Sequence, residues 1–490
     1  MTILTENAEL STESLTSEII HIIKAAKDSI EAEKKLFSFG LTLLNTLVQG
    51  ALEIIDKELY RNEYKDKGYR ISRQDQRTIY CLWGELTYRR RLLKAEGKKS
   101  FYPIDHKMGF DAGKHYSLAV IENIVKVMST TTSRNTEKIL QDLTRINVSH
   151  QTVVTLKNYA GQKAIAYEKA KAKKIATVKE IVSDGVLAIE GDGIVLKGKK
   201  GGNKEELHRI QIYTGVRKNG KRTMLEGRYC FTGMDQKELI IRVKEYLNNH
   251  YNLSELTILS NGDGGAGYQV TDFEQMVEGC KAHLHFRDRF HVNKKIRTRL
   301  SFCDKSLVER ITRECNNLKI TSECIIDQWM DTAASQAQTG KDEEEVERLR
   351  AYLKKNTQYM PTIKQRGIKT NIHLGTAETS HRSYSYRLKR QGRVWSHQGL
   401  ENMAAVLTAQ KNDELNKVLL YKANGTNYKK KDRAFNTATR EAIKAIVPKR
   451  LTAAQKRKQR SYRPGCLGGR IGCHGASTSP MARLAHAIQF

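Results

Sequence analysis

The order of strand and helix patterns between residues 181 and 292 constrains the fold more than any other feature of the sequence. Apolar and alternating runs predict strands, and stretches of helical period predict helices. The predicted strands lie at 186–196, 207–216, 222–233, 256–260 and in CKAHLHF, and the predicted helices lie at 234–251 and in TDFEQMVE. The sequence therefore predicts three strands, a helix, a strand, a helix and a strand.

This element order is that of an RNase H-like fold, a mixed sheet with helices on its faces. In that topology the first and fourth strands are parallel neighbours. Asp192, in EGDGI, interrupts the first strand, and Asp263, in SNGDGG, follows the fourth. We therefore expect the two carboxylates to lie side by side, where they repel each other unless a cation neutralises them.

Divalent cations are the expected cofactor of such a pair. Mg²⁺ prefers oxygen ligands and takes one or two carboxylates from a protein, with Mn²⁺ as the alternative. Two such ions activate an attacking oxygen and stabilise the leaving oxygen of a phosphodiester. The glycines that flank Asp192 and Asp263 are expected to allow sharp turns and to leave room for a DNA strand.

A metal pair needs a further carboxylate, and Glu378 in GTAET is the predicted third acid, at the start of a helix. Rival positions are the acidic run Glu343 to Glu345, which also fits a solvated helix face, and Glu401. Less specific interpretations stay open as well. Asp263 alone fits a glycine-rich turn, and Glu378 alone fits an acid that complements a helix dipole.

The charge of the chain indicates a polyanionic partner. Lys and Arg number 85 against 54 Asp and Glu, a formal charge of +31, and a nucleic acid such as double-stranded DNA is the default partner at this charge, with an anionic membrane surface as the alternative. Residues 411–490 carry 18 Lys and Arg against 4 Asp and Glu, a basic tail. No apolar run approaches the length of a spanning helix and the N-terminus is unlike a signal peptide, so we expect a cytoplasmic, nucleoid-associated protein without a membrane partner.

Three further segments are predicted to contact DNA. The segments 133–145 and 149–163 read as two helices joined by a short turn, a helix-turn-helix that places the second helix in the major groove. The predicted DNA-binding residues are Arg89, Arg90 and Arg91 in a basic strand, Ser149, His150 and Gln151 at the start of the second helix, and Arg387, Lys389 and Arg390 near Glu378.

Together with Cys280-Lys-Ala-His283, the motifs EGDGI, SNGDGG and GTAETSHRSYSYRLKRQG resemble those of bacterial insertion-sequence transposases of the DDE class, in the ISLre group of the Mutator-like superfamily. The resemblance implies Asp192, Asp263 and Glu378 as catalytic metal ligands, with Cys280 and His283 near the site. It also implies magnesium, recognition of terminal inverted repeats and joining of 3′-hydroxyl ends to target DNA. Synapsis of two ends implies a homodimer or a larger assembly.

The resemblance also implies a division of the chain into regions. They are a helical N-terminal region with a basic segment (1–115), a helix-turn-helix region with a linker helix (116–180), the first part of the catalytic core (181–292), a helical insertion (293–370), the last helix of the core (371–410) and the basic tail (411–490). Two other functions stay open: an RNase H-like nuclease, and a non-catalytic DNA-binding protein descended from a transposase.

Several histidines and cysteines are left over by these assignments. His285, Asp288 and His291 cluster in the sequence, and Asp288 either assists metal binding or pairs with Arg287 and Arg289. Cys280 and His283 also fit a packed thiol and a hydrogen-bonded imidazole. The eight cysteines form no CxxC pair, which argues against a zinc ribbon, and Cys466, Cys473 and His474 are read as structural.

Overall fold

A computed structural model describes residues 12–422, apart from 112, 145, 200–202, 221, 266, 317–322 and 391–392. The strands are β1 Arg70–Cys81, β2 Gly84–Lys94, β3 Val186–Lys197, β4 Lys204–Tyr213, β5 Gly215–Asn219, β6 Arg222–Glu226, β7 Tyr229–Gly233, β8 Thr257–Gly262 and β9 Ala282–Arg287. The helices are α1 Thr12–Lys24, α2 Ser29–Leu59, α3 Pro103–Met108, α4 Leu118–Met128, α5 Ser133–Leu143, α6 His150–Lys173, α7 Gln236–His250, α8 Val270–Met276, α9 Arg289–Arg299, α10 Lys305–Asn316, α11 Glu323–Ala334, α12 Gly340–Asn356, α13 Thr376–Leu388, α14 His397–Lys411 and α15 Leu415–Leu420.

The central element is a mixed five-stranded sheet in the order β7-β4-β3-β8-β9. β3 pairs antiparallel with β4, and β4 pairs antiparallel with β7. β8 pairs parallel with both β3 and β9. The prediction that the strands bearing Asp192 and preceding Asp263 are parallel neighbours is therefore confirmed, with Glu190 opposite Asn261 at the last paired position of the two strands.

The predicted third strand, 222–233, is divided into two pieces. β6 pairs with β5 in a separate hairpin, and β7 alone enters the sheet. The division follows from Gly227, whose φ of +57° takes the chain out of extended conformation between the two strands. A continuous β pattern in the sequence hides such a break, since the apolar alternation resumes beyond it.

The segment between β9 and α13 is helical, as predicted. Helices α9 to α12 enclose a hydrophobic cluster of their own, which includes Ile296, Ile311, Met330 and Leu349. A segment that folds around its own core can be inserted between two elements of a sheet domain without disturbing the sheet. It therefore allows β9 and α13, far apart in sequence, to meet at the same edge of the sheet.

Helices α4, α5 and α6 form the region predicted as a helix-turn-helix. Ser149 caps α6 by accepting a hydrogen bond from the Thr152 N–H, and α6 runs on to Lys173, so the predicted linker helix is part of it. The apolar faces of these helices share one hydrophobic cluster with α13, α14 and the outer end of β3, through residues such as Val153 and Leu400. The helical region is thus packed on the sheet unit.

The length and apolar composition of the N-terminal helix α2 differ from the expectation that no apolar run approaches the length of a spanning helix. Within the described residues, the continuous helical segment Ser29–Lys67 is long and apolar enough to cross a bilayer, and little of its most apolar window is buried. This criterion considers only length and composition, and amphipathic helices of water-soluble proteins also meet it. The carboxyl half of α2 packs on the β1–β2 hairpin through Leu52 and Leu59.

The arginine run at 89–91 has a largely structural role in this hairpin. Asp105 is 6% exposed, and it pairs with both Arg77 (2.6 Å) and Arg90. Arg91 pairs at 2.8 Å with Asp56, which is fully buried. Partners distant in sequence therefore hold both guanidinium groups, and phosphate contacts of Arg90 and Arg91 stay a prediction.

Replacing the shared carboxylate tests this ion-pair cluster. In Asp105→Ala, Arg77 and the Tyr88 hydroxyl lose their acceptor in a buried setting. We expect the free energy of unfolding to fall by about 3–5 kcal/mol, the usual cost of leaving one partner of a buried pair uncompensated. Urea unfolding followed by circular dichroism measures it. The control Arg89→Ala, at an exposed position, should change stability by at most about 0.5 kcal/mol, and an equally small change in Asp105→Ala would contradict the assignment.

Candidate metal centre

The middle of β3 and the carboxyl end of β8 bring the two predicted aspartates together. Asp192 lies two residues beyond Glu190 on β3, and Asp263 lies one residue beyond the end of β8. A ligand atom of each lies within 4.8 Å of the other and of a ring nitrogen of His291, on α9. Asp192, Asp263 and His291 are therefore placed to share one ion.

The donor set fits a divalent cation. Two carboxylates and one imidazole supply one ligand atom each, and the side chain of Asp192 is 12% exposed. The buried Nε2 atom of His291 has no hydrogen-bond partner among the described residues. Carboxylates suit Mg²⁺ and Mn²⁺, whereas an imidazole adds affinity for metals later in the first transition series. The prediction named His291 only as part of a cluster, and the signal for it was its place just after a strand end.

Two neighbouring groups, the Gly193 N–H and the imidazole of His381, position Asp192. Its Oδ1 accepts from the Gly193 N–H at 2.8 Å, and its Oδ2 lies 3.2 Å from Nδ1 of His381, on α13. Burial, together with Arg209 and Lys411, lowers the pKa of His381 to about 3. At neutral pH the imidazole is thus uncharged, and with its proton on Nδ1 it donates to Asp192 without neutralising the carboxylate.

Asp263 is held by the turn that follows β8. Its Oδ1 accepts from the Gly265 N–H at 2.8 Å. Gly264 has φ +76°, and a Cβ there would lie 2.0 Å from Nη1 of Arg287. A Cβ at Gly191 would lie 2.6 Å from the Tyr268 ring. The expectation that these glycines leave room for DNA is therefore wrong at these two positions, because protein side chains fill the space.

Glu190 fixes the start of α13 on the sheet. It is fully buried, and its Oε1 accepts from the backbone N–H groups of Gly375 and Thr376. Its Oε2 accepts from the Thr376 hydroxyl at 2.6 Å and from Nε2 of Gln211 at 2.9 Å. A carboxylate at this position accepts hydrogen bonds from N–H groups that have no partner within the helix. Its negative charge also interacts favourably with the positive end of the helix dipole. It is the residue of EGDGI that the prediction passed over.

Arg209 provides a second anchor for α13. It lies opposite Asp192 in the β3–β4 ladder and is 1% exposed. Its guanidinium donates to the Ala377 carbonyl at 3.1 Å and to the side chains of Gln211 and Ser380. Glu378 lies in the first turn of this helix, one turn before His381. Its side chain is outside the described residues, so its role stays a prediction.

A cationic pocket of about 310 Å³ adjoins Asp263. Its lining includes Arg287, Lys295, Lys355 and Tyr352. Arg287 is 8% exposed, and its Nε has no hydrogen-bond partner among the described residues. Burial lowers the pKa of both Arg287 and Lys295. A buried, incompletely paired guanidinium beside a carboxylate is suited to an anionic group such as a phosphate.

The remaining predicted residues are distributed over the surface and core. Cys280 packs partly buried against the main cluster of the sheet, and His283 Nε2 lies 2.7 Å from the Ser260 hydroxyl. Both lie toward the amino end of β9, and with a rise of about 3.3 Å per residue His283 is roughly 13 Å along the strand from Arg287 at the site edge. The expectation that this pair lies near the site is therefore wrong, and the packed interpretation holds.

The predicted DNA contacts divide in the same way. Arg387 is 3% exposed and donates to the Met128 carbonyl at 2.7 Å, so the predicted phosphate contact is wrong. Exposed positions among the predicted residues are Arg89, Ser149, His150, Gln151, Lys389 and Arg390. Asp288 caps α9 by accepting from the Phe290 N–H. Neither predicted role of Asp288, metal ligand or partner of Arg287 and Arg289, appears among the described contacts. Cys466, Cys473, His474 and the basic tail beyond 422 lie outside the described residues.

The metal centre predicts a measurable ion preference. Because one of its donors is an imidazole, we expect Mn²⁺ to bind more tightly than Mg²⁺. His291→Ala should weaken Mn²⁺ binding by about 10–100-fold, and Asp263→Asn should weaken the binding of both ions. Isothermal titration of the metal-free protein measures the affinities. His373→Ala, at an exposed histidine, is the control, and an unchanged Mn²⁺ affinity in His291→Ala would remove His291 from the site.

A second prediction concerns acid stability beneath the site. His285 Nδ1 lies 2.8 Å from the Ser260 hydroxyl, and burial, with Arg287 and His283, lowers the pKa of His285 to about 3. Between pH 6.5 and 3 the unfolded chain therefore binds a proton that the folded chain excludes, so stability falls as the pH falls through this window. At pH 5 the loss from this residue is about 2 kcal/mol relative to pH 7. Urea unfolding at both pH values should show a smaller acid loss in His285→Gln than in the parent, and equal losses would contradict the buried neutral state.

Comparisons with known proteins place the chain in a family. A model of the uncharacterised protein family UPF0236 matches residues 29–423. A relative from Streptococcus gallolyticus, named "UPF0236 protein in vanSb 3'region", is 31% identical over 400 residues, which are 81% of this chain and 86% of that protein. A UPF0236 protein of Caldanaerobacter subterraneus subsp. tengcongensis, whose name joins eleven gene labels, is 21% identical over 425 residues, 84% of each chain.

Among solved structures, the Drosophila P element transposase strand transfer complex aligns over 61% of this chain and 80% of that chain, at 11% identity and a TM-score of 0.22. Similarity at this level supports no conclusion about fold or function. The family match and the identity to the streptococcal relative do support one. This chain belongs to the uncharacterised protein family UPF0236.

Proposed function

We propose that the protein is a DDE transposase of the ISLre group, with an RNase H-like catalytic domain, that cleaves the ends of its own insertion sequence and joins them to target DNA. The observation that carries the proposal is the meeting of Asp192, on β3, with Asp263, just beyond the end of the adjacent parallel strand β8, beside the helix that bears Glu378. This is the arrangement that phosphodiester transfer by bound divalent ions requires.

Two further observations support the proposal. The formal charge of +31 suits a protein that contacts two DNA molecules. The name of the Caldanaerobacter relative joins eleven gene labels, and one protein encoded at many positions of a genome is expected of an element that copies or moves itself. A structural or regulatory DNA-binding protein has no such reason to recur.

The residues of the site have distinct parts in the proposed reaction. When bound, Mg²⁺ or Mn²⁺ supplies Lewis acidity and neutralises phosphate charge. Asp192 and Asp263, with His291 and Glu378, would hold the ions. Neutral His381 keeps Asp192 in position, and its uncharged state leaves the full carboxylate charge available. Arg287 and Lys295 attract the phosphate on the other side of Asp263.

Two displacements at phosphorus then use one site. In the first, water attacks a phosphodiester at the element end, the bond to the 3′-oxygen breaks, and a 3′-hydroxyl is released. In the second, that hydroxyl attacks a phosphodiester of target DNA, and the new bond replaces one in the target. The exposed start of α6, with Ser149, His150 and Gln151, is the proposed reader of the terminal repeats. The protein would act at the bacterial nucleoid, as a dimer or larger assembly that holds both ends.

Asp263→Asn tests the proposal. The substrate is a DNA fragment with the inverted repeats that flank the gene, supplied with Mg²⁺ or Mn²⁺. We expect the variant to bind the fragment as the parent does, since the change is isosteric, but to cleave it at least about 100-fold more slowly, beyond the loss from an outer-shell residue. Gel shift measures binding, and denaturing gels measure cleavage. Glu274→Gln, which removes an exposed carboxylate from α8, is the control.

The outcomes separate the competing functions. Equal cleavage by Asp263→Asn and the parent would overturn the proposed site. Cleavage by the parent without transfer of the 3′-hydroxyl end into a plasmid would indicate a nuclease on the same fold. Binding without cleavage by the parent would indicate a DNA-binding protein. Normal cleavage by Glu378→Gln would show that another residue is the third acid.

A further inference from the structure

An exposed stripe on α2 has the spacing of a coiled-coil seam. Its positions, here called the α2 seam, are Ile30, Glu33, Phe37, Gly40, Leu44, Leu47, Ala51 and Ile54. The intervals alternate between three and four residues, a mean of 3.5, which keeps a stripe facing one partner helix over its whole length. The large apolar members are exposed: Ile30 65%, Phe37 60%, Leu44 43%, Leu47 51% and Ile54 60%.

The rest of the described chain packs on another face of α2. Leu52, Asp56 and Leu59 are buried against the β1–β2 hairpin. Asp56 also pairs with Arg91, and the Asn45 amide donates to the Glu85 carbonyl at 2.7 Å. α2 is therefore fixed by one face, and its seam is left open to solvent along the other.

A second copy of this chain fits the seam better than a lipid bilayer does. A spanning helix is apolar on all sides, whereas α2 carries charges outside the seam at Glu31, Lys34, Lys35 and Lys57 and is held by the hairpin ion pair. The seam runs over 25 residues, about 37 Å of helix. Its large apolar side chains expose roughly 500 Å² per chain, so a pair would bury about 1,000 Å², the lower bound of a specific interface.

We propose that the α2 seam pairs antiparallel with the α2 seam of a second copy. Centred on Thr42, this arrangement places Ile30 opposite Ile54, Phe37 opposite Leu47, Leu44 opposite Gly40 and Ala51 opposite Glu33 of the other copy.

Two pairs then set apolar side chains against each other, the other two set Leu44 against Gly40 and Glu33 against Ala51, and each contact recurs by the twofold axis, as in a closed dimer. A parallel pair would instead set Glu33 against Glu33, with like charges adjacent, and Gly40 against Gly40, with a gap between them.

The mass of the full-length protein in solution tests the surface. We expect the parent to elute as a dimer in size-exclusion chromatography with light scattering, at twice 55.8 kDa. We expect Leu44→Glu to be a monomer, because the two introduced glutamates, one from each copy, would have to be desolvated near the centre of the interface. Gln49→Glu adds the same charge on the exposed face away from the seam and should leave the dimer intact. Unchanged circular dichroism and melting of Leu44→Glu would show that the fold is retained. A monomeric parent, or a dimeric Leu44→Glu, would overturn the proposal.

Cysteine crosslinking tests the direction of pairing. Under oxidation, Phe37→Cys with Leu47→Cys in one chain should yield a covalent dimer, whereas either change alone should give no more than the parent. Crosslinking by the single Phe37→Cys variant would indicate a parallel pair and overturn the antiparallel arrangement. Flotation of the parent with vesicles of anionic and neutral phospholipid, lost in Leu44→Glu, would identify the seam as a membrane surface instead.

These measurements use neither DNA nor metal, so they are independent of the proposed function. If the Asp263→Asn variant is a dimer and cleaves DNA normally, the seam proposal is retained and the proposed catalytic site is wrong. A monomeric protein whose cleavage depends on Asp263 would do the reverse.

Discussion

The carboxylate of Glu190 is the contact on which the candidate site depends. It is buried beneath the start of α13 and accepts hydrogen bonds from the first backbone N–H groups of that helix. β3 and α13 are separated in sequence by the whole helical insertion, and this carboxylate joins them directly. Since Asp192 lies two residues further along β3, the same contact sets the distance between Asp192 and every residue of the first turn of α13.

The charges around the two aspartates explain how a strongly basic chain keeps an acidic site. Arg209 lies across the ladder from Asp192 but directs its guanidinium to α13, where it donates to the Ala377 carbonyl. Lys411 is likewise turned to the Ser380 carbonyl, at 2.7 Å, and burial lowers its pKa to about 7. The cations nearest Asp192 are thus engaged with α13, and His381, the group in contact with it, is neutral. The carboxylate charge therefore remains for an ion.

The sequence was sufficient to predict the sheet, because its information is local. Apolar alternation marks each strand, and the order of strands and helices limits the topology, so the parallel pairing of β3 with β8 and the meeting of Asp192 with Asp263 followed. The break at Gly227 was missed because a single change of backbone angle leaves the β pattern on both sides intact. His291 was missed as a ligand because its position on α9 is set by packing, which no local pattern reports.

What surrounds each arginine also depends on partners distant in sequence. Arg90, Arg91 and Arg387 look alike in the sequence to Arg89 and Arg390, which are exposed. What distinguishes them is a partner elsewhere: Asp105, Asp56 and the Met128 carbonyl. A run of basic residues therefore indicates a DNA surface only after the buried acids have been assigned.

The apolar residues of α2 form two groups with separate roles, one buried against the hairpin and one exposed. Leu52 and Leu59 recur on the face that meets the β1–β2 hairpin, and the ion pair of Asp56 with Arg91 helps to fix the rotation of the helix about its axis. That rotation decides which residues remain outside. Because the seam repeats every 3.5 residues and the buried face is fixed, the exposed stripe cannot be hidden by turning the helix. The ion pair that holds Arg91 thus also helps to leave an apolar stripe of α2 exposed.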